Sequence, residues 1–390
     1  MSGTPYQNFS TFMASTGPAF LTSAEDVINE AVKNTYTYPR LARGHSLQDM
    51  VQGGTQIQDT IFFSEKTTYE RYDPNAEFEY SNPQTGTTWT VPWRFATANV
   101  SWTKHEIGLN TGQLSKKARF HQYKTLKRQK HQNLWTDICN SMDDELWAAP
   151  DYSAMEATAG KAPFSIPTYV NEYTNGVPNG WTGTNVMGID TATQSSWVPG
   201  QLTYDGTADP FGTTAEIFGV FSKMMRSLKF DRLPKKPEYS DKTTSPHFIA
   251  CSLSGIVNYE HALRVNQDEF RGGGGGQDPD YGSPMFRGVP LDYISALDTA
   301  AVYDGAGSDG IFYNESGGGV NTGPRFYFLN GEYLRNVVHA DNFCVMSDPF
   351  SPSKQPWTKV QVFDQWNNLV CRSRQRHGLV SPAGVTSPLI

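Results

Sequence analysis

The sequence has few charged residues, few cysteines and no long apolar run. Only 18% of the 390 residues are charged and 37% are hydrophobic, so glycine, proline and small polar residues make up much of the rest. This composition is typical of proteins rich in strands and loops. No stretch approaches the roughly 18 apolar residues of a membrane span, and residues 1–11 lack the pattern of a secretory signal. The sequence therefore predicts no membrane partner.

The four cysteines (Cys139, Cys251, Cys344 and Cys371) are far apart and form no C-x-x-C motif. This spacing indicates neither a disulfide framework nor a zinc site. It predicts four buried thiols in the reduced form, as in a cytosolic protein. The net charge of −7 favours solubility and gives no general affinity for nucleic acids.

The usual catalytic and cofactor-binding motifs are also missing. The glycine run 272–276 is followed by no Lys-Ser or Lys-Thr pair, His105-Glu106 has no second histidine four residues later, and there is no G-x-S-x-G sequence. The consecutive acids at 143–145 point in different directions on a helix, which disfavours a pair of catalytic carboxylates. We therefore predict no catalytic residue, no cofactor and no metal site, and expect that the protein is not an enzyme.

The segment 113–147 contains no glycine or proline and predicts one long helix with a narrow apolar stripe. Its charges oppose the helix dipole, which favours acids at the start and bases at the end. Seven basic residues come first, and acids come last. Either a polyanion or acidic groups of a neighbouring copy would compensate, although a simply solvated helix is also compatible with the sequence.

The other segments predict a mixture of strands and short helices. Residues 57–107 have period-two patterning around a turn at 82–86, which predicts a long β-hairpin with arms at 67–81 and 87–103. Residues 1–22 form an arm without a core of its own, followed by a helix at 23–38. Residues 150–212 have the composition of an irregular insertion with a turn at Asn175-Gly176. Further predicted elements are a helix at 213–230, a strand and helix at 247–265, and late strands with a hairpin turn at Asn367-Asn368.

This order of elements resembles the major capsid proteins of tailed bacteriophages, the Hong Kong 97 type of shell protein. The likeness is carried by the hairpin at 57–107 as an extended E-loop and by Gln113–Trp147 as a spine helix. The stretch PHFIACSLSGIVNYEHALRV is similar to the opening of an axial domain, and GEYLRNVVHADNFCVM to the late strands. The family has no diagnostic short motif, so the resemblance is one of element order and size.

The resemblance implies an α+β chain with the Hong Kong 97-type capsid fold, divided into five regions. They are an N-terminal arm with a short helix (1–56), the E-loop β-hairpin (57–107), a peripheral (P) domain (108–246), an axial (A) domain (247–330), and late strands shared by the P and A domains (331–390). The P domain would include the spine helix (113–147) and an insertion at about 150–212.

The resemblance also implies a shell subunit that self-assembles as pentamers and hexamers into an icosahedral bacteriophage head around double-stranded DNA. The basic helix face would meet packaged DNA without sequence specificity, or a neighbouring subunit, through Lys116, Lys117, Arg119, Lys124, Lys127, Arg128 and Lys130. Acidic residues would meet neighbouring subunits through Asp143, Asp144, Glu145, Glu77 and Glu79. Implied further partners are scaffolding, portal and decoration proteins. The implied location is the virion, after assembly in the host cytoplasm.

Two other functions are compatible with parts of the sequence. An encapsulin-like nanocompartment subunit would share the fold and enclose enzymes instead of DNA. A β-rich carbohydrate-active enzyme would need a cleft with two carboxylates at a fixed separation. Hollow particles loaded with cargo protein would indicate the former, and a stable monomer that hydrolyses glycans the latter.

Overall fold

The structure, a computed structural model, describes residues 48–51, 53–63, 71, 86–106, 116–148, 161–170, 173–174, 177–178, 185–191, 193–194, 196–204, 216–228, 247–265, 284–297 and 324–382. Side chains are described in these ranges except at 48–51, 116–126, 173–174, 177–178 and 264–265. The predicted arm up to residue 47, including the helix at 23–38, lies outside the described residues. So do the glycine run and all of the predicted strand arm at 67–81 except Arg71.

The described elements mix helices and strands. The helices are α1 (Lys116–Leu146), α2 (Ile166–Tyr169), α3 (Glu216–Ser227) and α4 (Leu253–Val265). The first strands are β1 (Gln48–Val51), β2 (Gln56–Phe62), β3 (Gly86–Pro92), β4 (Arg94–Thr103), β5 (Tyr173–Thr174), β6 (Val177–Pro178), β7 (Asn185–Val186), β8 (Ile189–Asp190) and β9 (Gly200–Tyr204). The later strands are β10 (His247–Cys251), β11 (Met285–Phe286), β12 (Val289–Tyr293), β13 (Phe326–Asn330), β14 (Leu334–His339), β15 (Val345–Met346), β16 (Thr358–Cys371) and β17 (Gly378–Pro382).

The chain divides into two compact units. Among the described residues, unit 1 contains those within 96–141 and 344–365, and unit 2 contains the others. Three elements, β4, α1 and β16, continue from one unit into the other along the chain.

A six-stranded sheet forms the centre of unit 2, in the order β11-β12-β10-β13-β17-β9. β10 runs parallel to β12 and antiparallel to β13, while β17 runs parallel to β9. This sheet combines strands from three of the regions predicted from the sequence, because β9 lies within 150–212, β10 within 247–330 and β17 within 331–390. The supposed insertion therefore supplies an edge strand of the main sheet.

Both faces of this sheet are buried. Phe248 and Ala250 of β10 belong to one apolar cluster, which also contains Trp147, Tyr169 and Trp197. The alternate residues of the same strand belong to a second cluster, with side chains from α3 and α4. Because successive side chains of a strand point to opposite faces, a strand buried on both faces has a continuous apolar sequence. The run Phe248–Cys251 has that pattern.

Strands β2 and β3 form a two-stranded antiparallel ribbon in unit 2, with Gln56 opposite Pro92 and Phe62 opposite Gly86. The predicted hairpin continued to residue 107. The structure ends the ribbon at Pro92 instead, because β4 pairs with β16. Within β2 only Ile57 is buried, whereas Trp89 and Val91 of β3 join the first apolar cluster.

The prediction of a hairpin turn at Asn367-Asn368 is wrong, because both residues lie inside the continuous 14-residue strand β16. Asn368 is fully buried. Its side-chain Nδ2 donates to the carbonyl oxygen of Pro92 (2.7 Å), and its Oδ1 accepts the N–H of Phe164 (2.8 Å). Long-range hydrogen bonds thus satisfy an amide that, in isolation, favours a turn.

The cysteines differ in burial. Cys251 and Cys371 are buried, Cys344 is half-buried and Cys139 is exposed, and none of the four is in a disulfide. The prediction of four buried thiols is therefore wrong for Cys139, which lies on a surface turn of α1.

Unit 2 also buries basic side chains near the start of β17. Arg374, with 1% of its surface exposed, donates from Nε to the oxygen of Tyr169 and from Nη1 to the oxygen of Trp197, both at 2.9 Å. His377 accepts the N–H of Asn330 at Nδ1 (3.2 Å). Burial first, and then the positive neighbours His247 and Arg374, lower the pKa of His377 to about 3. Burial and Arg376 lower the pKa of His247 to about 4.

We predict that Asn368→Ala lowers the free energy of unfolding by about 3 kcal/mol, because it removes the side-chain hydrogen bonds to the buried N–H groups of Phe164 and Leu369 and to the part-buried carbonyl oxygen of Pro92, and an unsatisfied buried group costs about 1–3 kcal/mol. Asn367→Ala is the matched control. It removes only the part-buried bond from Asn367 to Asn336 and should cost about 1 kcal/mol. Urea unfolding followed by fluorescence measures both. Equal losses in the two variants would contradict the anchoring role of Asn368.

We also predict acid destabilisation from the buried histidines. A histidine with a folded pKa below its unfolded value of 6.5 binds a proton more readily when unfolded, so its contribution is complete above pH 6.5 and is lost as the pH falls toward the folded pKa. For His377 the loss is about 1.4 kcal/mol per pH unit below pH 6.5. Urea unfolding between pH 7 and 5 should therefore show a shallower pH dependence in His377→Gln, which retains an acceptor. The exposed His261→Gln should match the wild type, and an unchanged slope in His377→Gln would refute the assignment.

Candidate assembly and nucleic-acid surface on helix α1

Helix α1 has 31 residues, with no acidic residue in its first turn and no basic residue in its last. At 1.5 Å per residue its length is about 46 Å. Both ends oppose the helix dipole, which costs about 0.3–1 kcal/mol per misplaced charge. Contacts elsewhere in the protein must therefore stabilise the helix.

One face of the part of α1 that belongs to unit 1 packs against other residues of unit 1. Lys127, Lys130, Leu134 and Ile138 recur at the spacing of a single helix face, and Leu134 and Ile138 are buried at 8% and 7% exposure. Lys127 Nζ lies 5.3 Å from the ring centre of Trp102, a cation–π contact. This face thus combines apolar residues with lysines that have partners within the chain.

Lys130 makes the most specific of these contacts. Its Nζ donates to the carbonyl oxygen of Ser101 and to Glu106 Oε2, both at 2.8 Å. Glu106 in turn accepts the N–H of Thr103, and Thr103 Oγ1 accepts the N–H of Glu106. This reciprocal pair is a capping box, so Lys130 ties α1 to the turn that follows β4.

His131 lies beside this cluster, with its ring centre 6.5 Å from that of Trp102. Burial, followed by the positive charge of Lys127, lowers the pKa of His131 and outweighs an opposite effect of Gln361. The imidazole therefore adds little positive charge to the lysines around it at neutral pH.

The outward face of α1 contains Arg128 and Gln132, and Trp135 and Cys139 lie at the boundary between this face and the side that meets β16; all four are exposed. Trp135 is 40% exposed, and its ring centre lies 5.5 Å from that of Phe363 in an edge-to-face arrangement. Helical periodicity places Lys117 and Lys124 on the same face, at positions eleven and four residues before Arg128. The side chains of Lys116, Lys117, Arg119 and Lys124 lie outside the described residues.

The acidic residues near the end of α1 lie in unit 2 and are covered to different degrees. Asp143 is buried at 3% exposure, while Asp144 and Glu145 are half-buried. Burial raises the pKa of Glu145. Glu77 and Glu79 lie outside the described residues. The sequence-based prediction assigned residues 143–145 together to contacts with neighbouring subunits. Of these, only Asp144 and Glu145 have substantial accessible surface.

The described residues contain no group of three or more histidine, cysteine, aspartate or glutamate side chains placed to bind a metal. None of the described helices combines the length and apolar character needed to cross a membrane.

Comparison with solved structures shows which fold this arrangement has. The capsid of cyanophage A-1(L) is similar over 93% of this chain and 95% of that chain, with a TM-score of 0.55 and 12% identity. The mature capsid of bacteriophage PhiM1 is similar over 99% and 100%, with a TM-score of 0.51 and 9% identity. The chain has the α+β fold of phage capsid proteins.

The capsid of cyanophage P-SCSP1u has the same capsid fold, with a TM-score of 0.50, 11% identity, and coverage of 93% of each chain. The capsid fold agrees with the Hong Kong 97-type resemblance in the sequence. No protein-family model matches the sequence, and no curated protein matches it. At such low identity only structure preserves the likeness.

Sequence reasoning missed the contacts that position the helix. The capping box has a recognisable signature, T-x-x-E at Thr103–Glu106, and could have been found. The lysine contacts to Ser101 and Trp102 join segments far apart in the sequence, and no local pattern indicates them.

We predict that Lys130→Ala lowers the free energy of unfolding by about 1 kcal/mol, because it removes two hydrogen bonds of a part-exposed charged group. Arg128→Ala, one position away from the packed face, should change it by less than about 0.5 kcal/mol. Urea unfolding of both variants checks the orientation of α1. A larger loss of unfolding free energy in Arg128→Ala than in Lys130→Ala would show that Arg128 does not lie on the outward face.

Proposed function

We propose that the chain is the major capsid protein of a bacteriophage, whose copies self-assemble as pentamers and hexamers into an icosahedral head enclosing double-stranded DNA. The observation that carries the proposal is the capsid fold, which extends over nearly the whole chain and nearly the whole of the matched capsid chains. The proposed role is structural, its location is the virion, and its principal partner is another copy of the same chain.

The β2–β3 ribbon supports the proposal. A two-stranded ribbon alone is at best marginally stable in water, and in this ribbon Phe62 is 73% exposed. A neighbouring subunit lying against β2 would bury Phe62, which is worth roughly 1.5–3 kcal/mol for a large apolar side chain. The ribbon would then act as the lapping E-loop of the resemblance.

The outward face of α1 supports the DNA-facing role. The whole chain is negatively charged, so attraction to DNA requires a local basic patch. Lys117, Lys124 and Arg128 lie on one face, and Arg128 is exposed. Contacts between such residues and phosphates give affinity without sequence specificity. Lys127 and Lys130 already have partners within unit 1, so they contribute less to this patch.

Subunit contacts through acidic residues form the remaining part of the proposal. Asp144 and Glu145 retain accessible surface, and Glu77 and Glu79 belong to the predicted E-loop. Asp143 is buried within unit 2, so its contribution would be to hold the end of α1 in place.

The direct test is electron microscopy and sedimentation of the purified protein. We expect closed particles in which subunits are arranged in five-fold and six-fold clusters. The DNA-binding surface should face mainly the interior of these particles. A stable monomer would contradict the proposal, and a monomer that hydrolyses glycans would establish the enzyme alternative. Particles filled with cargo protein would favour the nanocompartment alternative.

In the same preparations, Lys117→Glu, Lys124→Glu and Arg128→Glu combined should reduce DNA binding. The logarithm of the affinity falls with the logarithm of the salt concentration, and each lost phosphate contact makes this dependence shallower by about 0.9. Three lost contacts should therefore reduce the magnitude of the slope by about 2.7. The matched control changes the exposed Lys223, Arg226 and Lys359 to Glu, which alters the net charge equally. If both triple variants lose the same DNA binding, the outward face of α1 is not the DNA surface.

A further inference from the structure

In unit 1, helix α1 crosses one face of strand β16. Gln361, Phe363 and Gln365 share that face, because alternate residues of a strand point the same way, and their exposures are 8%, 1% and 2%. The ring of Trp135 meets Phe363. One helical turn earlier, His131 lies beside Gln361, close enough for the amide to influence its pKa, although no hydrogen bond of normal geometry joins them.

These two contacts define a register between the helix and the strand. Four helical residues advance the chain by about 6 Å, and two strand residues advance it by about 6.7 Å. The steps are nearly equal, so α1 and β16 run in the same direction and stay in step over a short distance. Extended by one step, this register aligns Cys139 with Gln365.

Strand β15 brings a second cysteine to the same place. Val345 lies opposite Asp364, and Met346 lies opposite Phe363. Cys344, one residue before β15, therefore lies across from Gln365. Its φ is 58°, in the left-handed region that residues other than glycine seldom adopt. The extended register and the strand pairing thus bring Cys139 on the helix and Cys344 beside the sheet toward the same residue, in agreement with the electrostatic influence of Cys139 on Cys344.

We propose that Cys139 and Cys344 are a redox-active pair whose thiols form a disulfide within one subunit and fasten α1 to β15. The proposal concerns the subunit alone and goes beyond its role in a shell. The two remaining cysteines, Cys251 and Cys371, are fully buried and remain outside this chemistry.

The different environments of the two thiols assign their order of reaction. Cys139 is exposed and reacts first with an oxidant of the glutathione disulfide class. Burial raises the pKa of Cys344 to about 11, and the neighbouring Cys139 contributes to the increase. Few Cys344 thiolates are present at neutral pH, so Cys344 acts second and its step is slow.

The reaction balances over two exchanges. The Cys139 thiolate attacks one sulfur of glutathione disulfide, breaks the sulfur–sulfur bond and releases a glutathione thiolate. The Cys344 thiolate then attacks the Cys139 sulfur of this mixed disulfide and releases a second glutathione thiolate. The two cysteines lose two electrons and two protons, and the oxidant becomes two glutathione thiols.

The test treats the purified native protein with oxidised glutathione, blocks the remaining thiols by alkylation, and maps peptides by mass spectrometry without reduction. We expect a Cys139–Cys344 peptide as the main product. Its rate of closure should rise about tenfold per pH unit between pH 7 and 9, because the Cys344 thiolate fraction rises in proportion. The linked protein should unfold at a midpoint several degrees higher, since a disulfide restricts the unfolded chain.

Three variants keep the result interpretable. Cys344→Ser should accumulate the glutathione adduct of Cys139. Cys139→Ser should form neither that adduct nor the disulfide. Cys251→Ser should form the link as the wild type does. The proposal is overturned by a stable glutathione adduct at Cys139 in the wild type, by links between Cys139 residues of two subunits, or by a link that forms only in denaturant. A linked protein with an unchanged midpoint would equally overturn the fastening role.

Discussion

The buried side-chain amide of Asn368 is the interaction on which much of unit 2 depends. One amide accepts the N–H of Phe164 and donates to the oxygen of Pro92, so it connects β16 to the end of β3 and to the segment before α2. In a buried site an unpaired amide costs more than a paired amide contributes. The three segments are therefore compatible with one arrangement only.

Contacts within the chain relieve only part of the unfavourable electrostatics of α1. Its basic half repels itself and opposes the dipole, which from the sequence indicated an external partner. The structure resolves part of the repulsion internally, since Lys130 contacts Glu106, Lys127 lies over Trp102, and burial favours the neutral form of His131. On the outward face, Arg128 is exposed. Any compensation by an external anion therefore concerns the outward face of the helix and not the packed face.

Apolar runs and helix patterns could be predicted from the sequence, whereas pairings between distant segments could not. The strand at 248–251 and the helix after it follow from an apolar run and a 3.6-residue period. Asn367-Asn368 misled because local propensity favours a turn there, and only tertiary hydrogen bonds override it. The turn between β7 and β8 has Met187 at a φ of 58° followed by Gly188 at 79°, without the Asn-Gly signal of such turns. β9 pairs with β17, but no sequence pattern in either strand predicts this pairing.

The β2–β3 ribbon has one face packed on unit 2 and one exposed face, and this asymmetry bears on the proposed shell. Trp89 and Val91 are buried in the cluster of unit 2, and Trp93 Nε1 donates to the oxygen of Gly54 (3.1 Å) at the base of the ribbon. By contrast, β2 buries only Ile57, and Phe62 at its far end is exposed. A subunit in both pentamers and hexamers must meet neighbours at different angles. Phe62 can meet each neighbour without disturbing the core, because the buried contacts and the exposed ring lie on opposite faces of the ribbon. Ile57, Ile61 and Phe63 pack on the cluster of unit 2, whereas Phe62, at an alternate position, points the other way.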